Sequence, residues 1–224
     1  MASGSRAYHI GLFGATGATG LHILKQSLQH DKLTILARTP SKLATFIRDS
    51  PNVSVIQGDT RNPHDVDKVV ASGIDGVINC VGGGTAMFFG GEKDICQVTN
   101  KHIVQSMQTH GVSRLVTISG IGVGSGAEFM PWYMTLGRMA VQPLMHHIMD
   151  DKEKVEALVT KSGLDYTIVR PPVLTNGPLC GRYRAGVDVV GLSVARADLA
   201  HFMLRVFRDE EYAKKIGQTP TIAY

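Results

Sequence analysis

The chain has 224 residues, enough for one domain with a substantial core, and 43% of them are hydrophobic, which excludes a disordered polymer. The formal net charge is +4 with no block of five or more basic residues, so small anions are more plausible partners than nucleic acid. No apolar run approaches the ~20 residues of a membrane span, and the start MASGSRAYHIG lacks the apolar stretch of a secretory signal, so a cytoplasmic protein is expected. Cys80, Cys96 and Cys180 show no CxxC spacing and cannot all pair, which predicts reduced thiols and no structural metal.

In chain order, an apolar strand at 10–13 runs into Gly14, Gly17 and Gly20, and a helical pattern of Leu21, Ile23, Leu24 and Leu28 follows. Strand, glycine turn and helix form the layout that holds a dinucleotide pyrophosphate. Gly14 permits a tight turn, Gly17 close backbone approach and Gly20 close packing of the helix. The segment Thr16, Gly17, Ala18, Thr19, Gly20 then presents N–H groups and the positive helix end to phosphate. The spacing is GxxGxxG, and its place after the first strand makes it informative.

Further strands are predicted at 33–37, 53–57, 76–80, 114–119 and 166–170, with a last one at 219–223. Helices are predicted from 41 to 48, 63 to 70, 94 to 110 (ended by Gly111), onward from Pro143, and 197 to 207. Strands alternating with helices predict an α/β fold, a doubly wound parallel sheet of Rossmann type, as a single domain over 1–224. Its substrate-side segments fall at about 120–150 and 173–195. Ligands then lie along the carboxyl edge of the sheet.

The end of the second strand carries Arg38, with Lys42 shortly after, where an NAD-binding chain would have a carboxylate. A planar cation suits a 2′-phosphate, so the expected cofactor is NADP(H); ordinary solvated charges are the plainer alternative. Asp59, followed by Thr60, either meets the adenine edge or closes a turn with Gly58. After the fourth strand, Cys80, Val81 and Gly82 lead into Gly83 and Gly84, where backbone could approach the nicotinamide ribose.

The motifs GATGATG at 14–20, LART-PSKL at 36–43, QGD at 57–59, TISG at 117–120, SGLDYTIVRPP at 162–172 and VARADLAHFM at 194–203 cover most of the chain in order. Their series resembles the short-chain dehydrogenase/reductase superfamily, in its atypical NAD(P)-binding branch with NmrA-like proteins and biliverdin/flavin reductases. The resemblance implies an NADP-bound Rossmann fold, with nicotinamide near Ser119, Arg170 and Pro171, and with Pro172 and Val173 alongside. It also implies Ser119 and Lys152 as candidate catalytic groups that both bind the cofactor, with Lys152 holding the nicotinamide ribose. Four residues before Lys152, where the superfamily has tyrosine, stands Ile148. Tyr133, His146 and His147 are the candidate replacements as proton donor, with Tyr133 taken as the third catalytic candidate.

Lys152 interrupts an apolar stripe of Ile148, Val155 and Val159 and either snorkels outward or serves a ligand inside. The glycines at 120, 122, 124 and 126 predict a mobile loop. Phe129, Met130, Trp132, Tyr133, Met134, Met139 and Met145 then form either the wall for a flat apolar substrate or a helix packed on the core or a second subunit. Phe88 and Phe89 are candidates for the opposite wall. The expected activity is NADPH-dependent hydride transfer to a planar apolar acceptor (flavin, quinone or related carbonyl compound), with a non-catalytic NADP-binding redox sensor as the alternative. A nucleotide-sugar epimerase fits less well, since such enzymes keep the tyrosine and carry a larger C-terminal domain. A small-molecule acceptor, no nucleic acid, no membrane, and a monomer or homodimer complete the expectation.

Overall fold

The computed structural model describes residues 6–82 and 93–224. Six parallel strands form the central sheet: β1 (His9–Phe13), β2 (Lys32–Ala37), β3 (Val53–Gln57), β4 (Gly76–Asn79), β5 (Arg114–Ile118) and β6 (Asp165–Val169). Their order is β3-β2-β1-β4-β5-β6, the doubly wound arrangement expected from the alternation. Register is continuous across the sheet: Leu12 faces Ile35 on one side and Ile78 on the other.

Successive strand residues enter opposite cores. Ile10, Leu12, Ile78, Val116 and Val169 pack with Ile23, Leu24, Phe202 and Phe207 of the helices α1 (Ala18–Ser27) and α6 (Arg196–Arg208). Phe13, Val77, Leu115 and Ile168 pack instead with Val66, Val69, Ile103, Met107, Val155 and Val159 of α3 (Pro63–Val70), α4 (Ile95–His110) and α5 (Trp132–Thr160). Both faces are covered, which is why the strands read as near-continuous apolar runs.

Local chemistry sets the helix ends. Asn62 accepts a hydrogen bond from the His64 N–H ahead of Pro63 in the first turn of α3, and Gly111 ends α4 with φ of 67°, in the left-handed region.

Three expectations are corrected. The helix expected over 41–48 is a 3-10 turn, Pro40–Lys42, followed by the short α2 (Thr45–Arg48); between them Leu43 is extended and drops into the core. The helix expected to open at Pro143 begins at Trp132 and passes through that proline. The glycine segment after β5 holds a 3-10 turn, Gly124–Phe129, and is tied down by the Ile121 N–H to the Pro171 carbonyl and by the buried Val123.

The C-terminal part carries more structure than its pattern reveals: β7 (Val173–Thr175), β8 (Arg184–Gly186), β9 (Ser193–Ala195), the helix α7 (Glu210–Ile216) and β10 (Thr221–Ala223). β7 pairs parallel with β9, and β10 pairs antiparallel with β8. Three-residue strands are too short to show a period. The final segment also runs beside β6, where the Ile168 and Arg170 N–H groups donate to the carbonyls of Gln218 and Pro220.

Candidate functional site

The glycine turn lies at the carboxyl end of β1. Gly14 has φ of 78°, and a Cβ there would stand 2.7 Å from the backbone carbon of Cys80, so the turn and the end of β4 touch through backbone. A Cβ at Gly20 would stand 2.2 Å from the Gly14 carbonyl oxygen, which already accepts from the Gly17 N–H. These contacts dictate glycine by space as well as by φ. Thr16, Gly17 and Ala18 are exposed, Thr19 is buried, and α1 starts at Gly17 with no side-chain cap and no acidic residue in its first turn. Its positive end is therefore not neutralised from within that turn.

Arg38 and Lys42 are exposed past the end of β2, and neither forms an ion pair among the described residues. Asp59 takes the turn geometry weighed for it: its carboxylate accepts from the Arg61 N–H, while its own N–H donates to Asp65. The Thr60 hydroxyl accepts from Thr99, and its carbonyl bonds His102, which ties the end of β3 to α4.

At the end of β4, the Asn79 side chain turns the chain by accepting from the Val81 N–H, and it donates to Thr117, which in turn donates to Asn100. This buried polar relay joins β4, β5 and α4. Burial pushes the Cys80 thiol far up, so it is not a ready nucleophile. Gly82 is exposed. Gly83, Gly84, Phe88 and Phe89 lie outside the described residues, as does the side chain of Tyr133.

Ser119 and Lys152 are brought together. The Lys152 Nζ donates to the Ser119 carbonyl at 2.6 Å, and its aliphatic stem lies along Gly120. Lys152 thus turns inward on the face shared with the buried Val155 and Val159. Burial is the main cause holding its pKa below the usual lysine range, partly countered by Cys96, Asp151 and Glu156. The Ser119 hydroxyl is buried and has no hydrogen-bond partner among the described residues. Such a group is rare in a folded chain and calls for an outside partner.

Two anchors on α5 fix Lys152. One residue before it, the buried Asp151 carboxylate accepts from the Cys96 and Gln97 N–H groups and so caps α4, which has no side-chain cap of its own. One turn after it, Glu156 holds Arg170 in a buried two-pronged pair, 3.0 Å to Nε and 2.6 Å to the outer nitrogen. Sequence reasoning missed both anchors. The available signal was carboxylates beside and within an apolar stripe.

The resemblance sets Arg170 near the nicotinamide. It stands just past β6 at the carboxyl edge, with its guanidinium engaged by Glu156. Pro171 and Pro172 are buried behind it, while Val173 stands 69% exposed in β7. His146 is exposed, and His147 lines a polar pocket of about 190 Å³ with Lys93, Gln97, Asp150 and Asp151. Burial and the neighbouring His146 and Lys93 lower the pKa of His147.

Residues 14–210 match the model of the NAD(P)H-binding family. The chain belongs to the NAD(P)H-binding family. The match spans the glycine turn, both anchors and α6.

An uncharacterized chloroplast protein of Arabidopsis thaliana is 29% identical over 175 residues, which are 75% of this chain and 60% of that protein. The chain therefore spans about three-fifths of that relative's length. Among solved structures, a short-chain dehydrogenase/reductase from Veillonella parvula in complex with NADP superposes with a TM-score of 0.80 at 17% identity, covering 97% of this chain and 94% of the other. ChuY, an anaerobillin reductase from Escherichia coli O157:H7, superposes with a TM-score of 0.72 at 20% identity, covering 96% of each chain. These likenesses bear out the Rossmann fold. Among the described residues no helix is long and apolar enough to cross a membrane.

The residues fit a dinucleotide on the protein's own terms. Gly14 and Gly20 let the turn close against the end of β4 and the first turn of α1, α1 has no acidic residue at its positive end, and the Ser119 hydroxyl is buried with no partner among the described residues.

Proposed function

We propose that this member of the NAD(P)H-binding family is an NADPH-dependent reductase that delivers hydride to a planar apolar acceptor, such as a flavin, a quinone or a related carbonyl compound. The observation that carries the reading is the buried, unpartnered Ser119 hydroxyl beside an inward lysine at the carboxyl edge of the sheet. A cofactor-only module has no need of a desolvated hydroxyl and an ammonium held together, since each costs free energy in the folded chain.

The cradle formed by 14–20 would hold the pyrophosphate, Arg38 and Lys42 the 2′-phosphate, and the backbone at 80–82 the far ribose. NADPH, when bound, supplies the hydride. Ser119 would then donate to the nicotinamide amide or to the acceptor oxygen, and the buried edge would exclude water. One protein on which the chain superposes is named an anaerobillin reductase, which supports a reductase reading. The acceptor is taken to be a small molecule, with the protein a monomer or homodimer.

Ile148 favours a second reading, an NADP-binding redox sensor, because it removes the usual proton donor. Fluorescence titration of NADP⁺, NADPH and NADH, followed by NADPH consumption with flavin, quinone and biliverdin, separates the two. Tight binding with multiple turnover supports the reductase; tight binding with no turnover for any acceptor supports the sensor. Arg38→Ser is expected to weaken NADPH binding about 10- to 100-fold, the loss of one charge-assisted hydrogen bond, and to leave NADH binding unchanged. Equal losses for both cofactors would refute the 2′-phosphate assignment.

A further inference from the structure

Of the candidate donors, the two histidines differ from Lys152 in direction. Lys152 shares its face of α5 with Ile148, Val155 and Val159, whereas His146 is exposed and His147 opens on a polar pocket beside Lys93 and Asp150. Ile148 carries no proton. Along that face, the polar nitrogen that meets Ser119 is Lys152 Nζ.

The kind of bond it makes is informative. A lysine kept as a permanent cation is normally held by a carboxylate, which stabilises its charge. Among the described residues Lys152 has no such ion pair; its neighbours Asp151 and Glu156 are engaged on α4 and Arg170 instead. Its hydrogen-bond partner is a carbonyl, which accepts from an ammonium or from a neutral amine alike. The carbonyl therefore fixes the position of the nitrogen without fixing its charge, and the protons not engaged there are free to meet a ligand.

We propose that Lys152 is the proton donor of the reduction, and the proposal rests on the reductase reading above. As the acceptor takes up hydride from NADPH, an N–H bond of the Lys152 ammonium breaks and its proton passes to the acceptor. The acceptor is reduced by two electrons, the nicotinamide is oxidised, and Lys152 is left as a neutral amine. Solvent then returns the proton. The half-buried placement of Lys152 supports both steps: close enough to the dry edge to titrate below the usual lysine range, open enough to be reprotonated.

The titratable groups that act on it are Cys96 on α4 and Asp151 and Glu156 on α5, the last paired with Arg170. Asp151 and Glu156 carry fixed partners on α4 and at Arg170, which leaves Lys152 as the proton carrier of the group.

The test begins without cofactor. Lysine ¹³Cε resonances are followed against pH in the full chain, and the Lys152 signal is assigned by its loss in Lys152→Arg. A midpoint clearly below the ordinary lysine value is expected. Turnover of the wild type should then decline as pH rises through that same midpoint. Lys152→Arg should bind NADPH within about 3-fold of wild type, lose the alkaline decline and slow about 100-fold or more. Lys152→Met, which retains no ionisable group, should behave alike and guards against a folding defect. A Lys152 midpoint at the ordinary lysine value, or a wild-type rate and pH profile in Lys152→Arg, overturns the proposal alone. Absence of NADPH consumption by the wild type overturns the reductase reading, and this proposal with it.

Discussion

Beside β1 and β2, the carboxyl edge is shaped by backbone: a glycine turn, an uncapped helix start and two exposed cations. Beside β5 and β6 it is shaped by buried side chains, with Lys152 on a carbonyl, Asp151 on a neighbouring helix and Glu156 on Arg170. The first half owes its shape to what is missing, the Cβ atoms. The second owes it to long-range pairs whose members are useless singly. The two halves should therefore fail differently when disturbed.

The largest effect is expected from Glu156→Ala, which leaves the buried Arg170 without its carboxylate. A loss of roughly 3–5 kcal/mol in urea unfolding is expected, and pairing it with Arg170→Met should recover much of it. Gly20→Ala should cost about 1–3 kcal/mol by forcing a Cβ against the Gly14 carbonyl. It should weaken cofactor binding while leaving the Lys152 resonance where it was; a shift there would mean the halves are not independent. Asp151→Asn should cost about 1 kcal/mol as a weakened helix cap. It should also lower turnover more than cofactor affinity, because it loosens the element that carries Lys152.

The subtlest change is one of sign. The folded chain disfavours the Lys152 ammonium, whereas the unfolded chain binds that proton at the ordinary lysine pKa. Between those two values the unfolded state holds more protons, so stability rises with pH. Lys152→Met should flatten that rise and raise Tm at neutral pH, measured by differential scanning calorimetry, while activity falls.

The contrast also explains what could be read from the residues. The strand alternation, the glycine turn and the Gly111 stop depend on local rules, and the structure follows them closely. The inward course of Lys152 was one of two readings, because its stripe shows that the position faces the core but not whether the amine escapes. The Arg170–Glu156 pair was not legible, since nothing local reveals that Glu156, on a different element, reaches that arginine. Asp198 of α6 is similar. It is fully buried and accepts from the Cys180 and Gly181 N–H groups and the Tyr224 hydroxyl, an arrangement no spacing announces. Short strands such as β8 and β9 left no periodic trace.

The strand order also bears on how the chain assembles. β1 is central in space but first in sequence, and β2 and β3 extend the sheet away from it on one side only. Until residues 76–79 arrive as β4, the other edge of β1 has no partner, although its side chains are apolar toward both faces. An emerging chain thus carries a sticky, unpaired edge for the time needed to synthesise α3 and β4, the interval in which it is most open to aggregation or to a chaperone.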